Sequence, residues 1–128
     1  MVLVDSSVWI KIEHERLKLR ELVSADERLA TCPIVVHEVL RGTRDPERYD
    51  AARELLLHVA MYDAPTPLER FEQAAQLYLR CRAGGVTPSS GDCLVAACAI
   101  AHDLPLLHFD SGFLHIARFT PLKLFTRS

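Results

Sequence analysis

Short runs of apolar residues alternate along this chain with longer stretches in which apolar positions recur every three or four residues. The short runs predict strands at residues 2–4, 28–31, 59–62, 105–109 and 122–125. The longer stretches predict helices at residues 7–23, in two pieces, and at residues 46–57 and 67–82. Pro33 suits the first position of a helix, and Gly42 suits the residue that follows a helix end. These two residues predict a further short helix between them. A last helix begins near Ser89 or Ser90, either of which can cap it.

This alternation of strands and helices is typical of a parallel sheet with helices on both faces. We therefore expect an α/β fold with three layers, α/β/α, around a central and mainly parallel sheet of about five strands. The length of 128 residues suits a single domain over residues 1–128.

The composition, with 49% hydrophobic and 25% charged residues, is ordinary for a soluble globular protein. The uncharged apolar run at residues 93–101 is too short to span a bilayer. The first residues lack the basic segment and hydrophobic stretch of a signal peptide. We expect a cytoplasmic protein without membrane contact.

The net charge of -2 gives no global basic field that would indicate nucleic-acid binding. Basic residues nevertheless form local clusters, which are either a phosphate-binding face or solvated helix surface. The clusters are Arg16, Lys18 and Arg20; Arg41, Arg44 and Arg48; Arg80 and Arg82; and Arg118, Lys123 and Arg127. The four cysteines and six histidines contain no CxxC or HxxxH group. We therefore expect reduced, buried cysteines and no zinc site.

Four acidic residues lie directly beside apolar runs, where a carboxylate loses solvation and needs a compensating partner. Asp5 and Asp110 end two of the predicted strands, whereas Glu38 and Asp92 lie in two of the predicted helices. The crevice of a parallel sheet lies beyond the carboxyl ends of its strands, which gives these side chains a reason to meet. Since clustered carboxylates repel one another until a cation joins them, the pattern indicates a metal site.

Each acid also has an ordinary structural explanation when it is considered alone. Asp5 can cap the next helix, and Asp110 can cap a short helix around residues 111–113. Asp92 is favourable negative charge in the first turn of a helix. Glu38 has Arg41 at i+3 as an ion-pair partner. Only the joint pattern favours a metal site over these explanations.

Four segments resemble, in order and spacing, the four motifs of the PIN-domain ribonucleases. They are VDSSVWI at residues 4–10, HEVLRG at 37–42, DCLVAA at 92–97 and LLHFDSGF at 106–113. The resemblance covers essentially the whole chain, whose length is also similar to that of the VapC toxins of bacterial toxin–antitoxin pairs.

The resemblance implies a PIN domain that acts as an endoribonuclease with Mg²⁺ or Mn²⁺, hard ions that bind carboxylate oxygens. It implies four catalytic acids, of which three are metal ligands, namely Asp5, Asp92 and Asp110. Glu38 is expected to orient or deprotonate the attacking water. Residues expected to position substrate or water are Ser7, Ser90 and Arg41.

The resemblance also implies partners: an RNA substrate (tRNA, rRNA or mRNA) and a cognate VapB-like antitoxin whose tail occupies the active site. It implies a homodimer that forms a heterotetramer or a larger assembly with the antitoxin. An apolar groove between the helices at residues 8–22 and 35–40 is expected to receive an amphipathic helix of the antitoxin.

Two other functions compete with this one. A phosphatase with an aspartyl nucleophile normally has a second acid two residues after the first, where this chain has Ser7. A non-catalytic PIN-like module that binds RNA or protein is favoured by two departures from the family pattern. Residues 89–91 lack the basic residue often found before the third acid, and Gly112 stands where a further acid often follows the fourth.

Overall fold

The computed structural model describes residues 1–15 and 18–126. Arg16 and Arg127, two of the clustered basic residues, therefore lie outside the described residues. The strands are β1 (Val2–Val4), β2 (Leu29–Thr31), β3 (Ala60–Met61) and β4 (Leu106–Leu107). The helices are α1 (Ser6–Glu15), α2 (Leu19–Leu22), α3 (Pro33–Arg41), α4 (Pro46–Leu57), α5 (Leu68–Ala83), α6 (Ser90–Ala101) and α7 (Gly112–Phe119).

The four strands form one parallel sheet in the order β3-β2-β1-β4. β1 lies inside the sheet, where Val2 pairs with Leu29 of β2 and Leu3 pairs with Leu106 of β4. All three residues of β1 are fully buried. A strand buried on both faces requires an unbroken apolar run, which is the pattern that predicted β1.

The fifth strand expected at residues 122–125 is wrong, so the sheet of the described residues has four strands and not about five. This segment makes only an isolated parallel bridge between Leu124 and Leu106. The Leu106 amide donates to Lys123 at 2.9 Å, and the Phe125 amide donates to Leu106 at 2.8 Å. Since β4 contains only two residues, it offers too little edge for a longer ladder.

The order of the strands reverses at β1, because the chain adds β2 and β3 on one side and β4 on the other. Connections between parallel strands are right-handed, so the helices before β3 and those after it cover opposite faces of the sheet. The expected three-layer α/β/α arrangement with a parallel central sheet is confirmed. Such a reversal opens a crevice at the carboxyl ends of the strands, here between β1 and β4.

Helix α6 packs mainly against α5 and is the most deeply buried helix of the domain. Its buried positions are mostly small, since residues 96, 97 and 99 are alanine, and small side chains let the helix approach its neighbours closely. The Ser89 hydroxyl caps α6 by accepting a hydrogen bond from the Asp92 amide at 3.1 Å. Among residues 1–15 and 18–126, no helix is long and apolar enough to cross a membrane.

Candidate active site

Asp5 lies where β1 ends and α1 begins, at the reversal point of the sheet. The residue is 2% exposed. Its Oδ2 accepts hydrogen bonds from the Ser7 hydroxyl at 2.6 Å and from the Ser7 amide at 3.1 Å. The same hydroxyl accepts a hydrogen bond from the Phe109 amide at 3.0 Å. Ser7 therefore fixes the Asp5 carboxylate and joins it to the segment that follows β4.

Glu38 reaches the same region from α3, which begins at Pro33 directly after β2 and Cys32. A Cβ atom added to Gly91, in the first turn of α6, would lie 3.3 Å from Glu38 Oε2. Since glycine has no Cβ, the start of α6 can approach α3 this closely. The two helices that carry Glu38 and Asp92 are thereby brought together.

Asp92 lies in the first turn of α6, and Asp110 lies between β4 and α7. Asp110 Oδ1 accepts a hydrogen bond from the Gly112 amide at 2.8 Å. A Cβ atom added to Gly112 would lie 2.9 Å from Asp92 Oδ2 and 3.1 Å from Asp110 Oδ1. The two carboxylates therefore crowd the same point, and the lack of a side chain at Gly112 leaves room for both.

The four acids lie close enough together for their charges to affect one another, and the place where they meet is called the acidic pocket below. Burial raises the pKa of Asp5, against the hydrogen bonds from Ser7, and the charge of Asp110 adds to the increase. Burial and then the charge of Asp5 raise the pKa of Glu38. Burial and then the charge of Asp110 raise the pKa of Asp92 from its ordinary 3.8 to about 7. The pocket thus disfavours the negative charge that four ionised carboxylates would place in it.

The donor set of this pocket fits a divalent cation. Asp5 Oδ1 and Glu38 Oε1 are buried without a hydrogen-bond partner among the described residues. Such unsatisfied oxygens are costly to bury. Mg²⁺ and Mn²⁺ prefer carboxylate oxygens, and a cation would satisfy these atoms and offset the repulsion. Asp5, Asp92 and Asp110 stay the predicted ligands of such a cation.

Comparison with known proteins decides the family. Residues 2–119 match the model of the PIN domain. The chain belongs to the PIN domain family. Ribonuclease VapC11 of Mycobacterium tuberculosis and VapC ribonuclease Mb1587 of Mycobacterium bovis are each 31% identical to it over 130 residues, which cover 96% of this chain and 96% of each relative. The predicted membership of the VapC-type PIN-domain ribonucleases is therefore confirmed.

Solved structures share the PIN fold of this chain at low sequence identity. VapBC-1 from nontypeable Haemophilus influenzae has a TM-score of 0.76 and 18% identity, with 98% of this chain and 97% of that chain covered. VapBC2 from Rickettsia felis, bound to a promoter DNA fragment, has a TM-score of 0.77 and 17% identity, with 98% of each covered. Mycobacterium tuberculosis VapC20, a Sarcin-Ricin loop cleaving toxin, has a TM-score of 0.68 and 19% identity, with 96% and 99% covered.

The three residues expected to position substrate or water have different places in this PIN domain. Ser7 contacts Asp5 directly. Arg41 is exposed at the end of α3, and its charge opposes the increase in the pKa of Glu38. Ser90 is exposed and lines a cavity with Phe71 and other residues of α5. No hydrogen bond found among the described residues joins Ser90 to an acid, and the capping hydroxyl belongs to Ser89.

The sequence interpretation missed a second polar group of this PIN domain. Arg70 Nε donates to Asp63 Oδ2 at 2.8 Å, and His102 Nε2 lies 2.8 Å from Asp63 Oδ1. Burial opposes ionisation of Asp63, but hydrogen bonds with Arg70, His102 and Cys98 hold its pKa below the ordinary value. Cys98 lies on α6 and His102 caps its end four residues later, and this spacing places both on one side of the helix. Asp63 gave no such signal, because its partner His102 is 39 residues away.

Proposed function

We propose that this protein is a cytoplasmic endoribonuclease toxin that depends on Mg²⁺ or Mn²⁺ and is inhibited by a VapB-like antitoxin. The observation that carries the proposal is the meeting of four acids at the reversal point of a PIN-domain sheet, namely Asp5, Glu38, Asp92 and Asp110. The relatives named as VapC ribonucleases support RNA as the substrate, with tRNA, rRNA and mRNA as the candidate classes.

The four acids divide the chemistry of phosphodiester hydrolysis between them. A divalent cation held by Asp5, Asp92 and Asp110 would lower the pKa of a water molecule and offset phosphate charge. Glu38 Oε1, which has no partner among the described residues, accepts the proton of the attacking water. The raised pKa of Glu38 makes it a stronger base than an ordinary surface glutamate.

Ser7 supports this chemistry by holding Asp5 without occupying both of its oxygens. Its hydroxyl and amide bind Asp5 Oδ2, while Oδ1 stays available as a ligand atom. Because the hydroxyl also binds the Phe109 amide, it couples Asp5 to the segment that carries Asp110. Hydrogen bonds of this kind orient metal ligands and are required for full affinity.

The residues beside the acids provide contacts that suit RNA. Phe109, directly before Asp110, is 42% exposed, and Lys11 Nζ lies 4.8 Å from the centroid of its ring. The ring attracts the ammonium group and keeps a positive charge where a phosphate of the substrate would lie. An exposed ring also offers a surface on which a base can stack.

Metal titration and RNA cleavage by antitoxin-free protein test the proposal. We expect Asp5→Asn and Asp92→Asn to lower Mg²⁺ affinity in calorimetry about tenfold or more and to abolish cleavage. Glu38→Gln should reduce cleavage far more than Mg²⁺ affinity, because Glu38 acts on water. Asp50→Asn changes an exposed carboxylate of α4 and should alter neither. If no RNA is cleaved in a metal-dependent manner, the proposal is wrong. If RNA is cleaved, mapping the new RNA ends in cells after brief expression of the protein identifies the substrate.

A non-catalytic PIN-like module that binds RNA or protein is the second candidate. Gly112 favours it, because a further acid often occupies that position in the family. The close approach of Asp92 and Asp110 around Gly112 gives the glycine a structural role in a working site as well. Gel-shift and cleavage assays on the same RNA separate the two functions, since a binding module retains RNA without producing fragments.

The apolar groove expected for the antitoxin corresponds to a cavity of about 310 Å³ between α1, α3 and α4. Trp9, Ile12, Val39 and Leu56 line it, beside Leu55, which is 51% exposed. Trp9, Val39 and Leu56 are already buried, so an amphipathic helix of the antitoxin would cover mainly the exposed Leu55 and the half-buried Ile12, and an arginine from its tail would pair with the acids. Leu55→Glu should weaken co-purification of the antitoxin, while leaving RNA cleavage by the free toxin intact. With the proposed homodimer, the complex is a heterotetramer or larger.

A further inference from the structure

A second group of metal-ligating side chains lies outside the acidic pocket. Asp63 follows β3, whereas Cys98 lies in the last turns of α6 and His102 is the residue that caps the end of α6. One ligand atom from each of the three lies within 4.8 Å of the other two. Cys98 is 1% exposed, and the Asp63 side chain is 5% exposed. Three chemically different donors therefore converge in a largely buried place.

Arg70 and Tyr62 hold two of these donors in fixed orientations. Arg70 Nε donates to Asp63 Oδ2 at 2.8 Å and Arg70 Nη2 donates to Oδ1 at 3.3 Å, while His102 Nε2 lies 2.8 Å from the same Oδ1. The ring of Tyr62 packs on that of His102 with centroids 4.8 Å apart. A carboxylate that binds a metal through one oxygen is commonly hydrogen-bonded at the other, and Arg70 makes that bond here.

A fourth donor lies next to this group. Cys32, directly before α3, lines the same cavity as Cys98. A cavity of about 240 Å³ is lined by Cys32, Cys98 and Asp63 together with Arg70. Space for an additional atom is thus available on the side where both thiols and the carboxylate are found.

We propose that Asp63, Cys98, His102 and Cys32 form a tetrahedral Zn²⁺ site, separate from the acidic pocket. Thiolate, imidazole and carboxylate together suit zinc, whereas magnesium prefers oxygen ligands alone. Bonds of about 2.0–2.3 Å place adjacent ligand atoms of a tetrahedron roughly 3.3–3.7 Å apart. Asp63 Oδ1 and His102 Nε2 would therefore separate by about half an ångström from their present 2.8 Å, Cys98 Sγ would approach them from within 4.8 Å, and Cys32 Sγ would turn towards them from the cavity wall.

The charges of this site balance when zinc is bound. On binding, each thiol releases its proton to solvent and forms a bond to the ion through sulfur. The ion, two thiolates and one carboxylate then carry one net negative charge, and the Arg70 guanidinium on Asp63 neutralises it. The site would connect the segment after β3 to α3 and α6, the two helices that carry Glu38 and Asp92. Zinc is thus expected to stabilise the frame of the acidic pocket without entering it.

Cobalt titration of the chelator-treated, full-length protein tests the proposal, with excess Mg²⁺ present to occupy the acidic pocket. We expect one Co²⁺ per chain, with the thiolate-to-cobalt absorption and visible bands of a tetrahedral site, both removed by one equivalent of Zn²⁺. Cys98→Ser and His102→Gln should each weaken zinc binding by about 100-fold or more, and Cys32→Ser should reduce the thiolate absorption. Cys81→Ser, at a buried cysteine of α5, and Asp92→Asn should leave the spectrum unchanged.

The spectrum of the unmutated protein decides the matter even where a variant fails to fold. Co²⁺ bound without thiolate absorption would overturn the proposal, as would a protein that binds no Co²⁺ while circular dichroism shows it folded. In either case Asp63, Arg70 and His102 are a metal-free ion-pair group. A spectrum insensitive to Cys98→Ser in a folded variant would overturn it too.

Discussion

Replacing Asp92 by asparagine should stabilise the metal-free protein at alkaline pH, although it abolishes the proposed activity. Burial and the neighbouring Asp110 raise the pKa of Asp92 from 3.8 to about 7 in the folded chain. Between these pH values the folded chain holds a proton that the unfolded chain has released. Stability therefore falls as the pH rises from about 4 through about 7, and the loss is complete above that range.

The structure sets the size of this effect. A pKa increase from 3.8 to about 7 corresponds to about 4 kcal/mol against the ionised folded chain. Asp92 is only half-buried, so solvent screens part of the repulsion, and we expect about 1–2 kcal/mol to remain. Asparagine has the shape of aspartate without its charge, so the substitution removes this term and leaves no cavity.

Urea denaturation in the presence of a chelator, at about pH 3 and about pH 8.5, measures the effect. At the higher pH we expect Asp92→Asn to be more stable than the unmutated protein by about 1–2 kcal/mol, and at the lower pH the two should be nearly equal. Added Mg²⁺ should stabilise the unmutated protein and not the variant. Asp50→Asn, on the exposed face of α4, is the control and should follow the unmutated protein. A variant that is less stable at the higher pH, or has the same pH dependence, would refute the electrostatic reasoning.

Three further substitutions probe single contacts. Gly112→Ala places a Cβ atom 2.9 Å from Asp92 Oδ2, so Mg²⁺ affinity in calorimetry should fall about tenfold. Gly42→Ala is the control, because its Cβ atom would lie 3.5 Å from the nearest neighbour, and it should leave the Mg²⁺ affinity unchanged. Ser7→Ala should slow RNA cleavage about tenfold or more and lower stability by about 1 kcal/mol, and an unchanged rate would exclude a positioning role. Arg70→Met leaves the Asp63 charge without its main partner and should reduce the free energy of unfolding, measured with chelator present, by about 3 kcal/mol. Arg48→Met removes the partner of Asp45 in an exposed ion pair and should reduce it by less than about 0.5 kcal/mol.

The sequence predicts an element well where burial alone decides it. β1 is fully buried and half of the residues of α6 are buried, and both elements contain an unbroken run of apolar residues. The segment at residues 122–125 has an equally good strand pattern but forms a single bridge. Strand formation also needs a partner edge, and the two-residue β4 ends where the chain turns towards Asp110. The length of a neighbouring strand cannot be predicted from the pattern of the segment itself.

The acidic pocket could be predicted because topology, and not side-chain detail, brings its members together. A strand end contributes Asp5, the start of a helix contributes Asp92, and a parallel sheet places such positions at one edge. The group around Asp63 follows no such rule. It depends on where the loop after β3 meets the far half of α6, and that meeting is set by packing between residues distant in sequence. The spacing of Cys98 and His102 can indicate that these two side chains lie close together, but it cannot indicate that Asp63 joins them.

Buried carboxylates are compensated in two opposite ways within this domain, and the contrast argues for a ligand in the acidic pocket. Asp63 has Arg70 and His102 beside it, so its pKa is lowered and groups of the chain itself stabilise its charge. Asp5 has only neutral hydrogen bonds from Ser7, and its pKa is raised along with those of Glu38 and Asp92. In the proposed function, the positive charge that this pocket lacks comes from a divalent cation or from an antitoxin arginine. Because either one meets the same need at the same carboxylates, the proposed inhibition follows from the electrostatics that make the site able to bind metal.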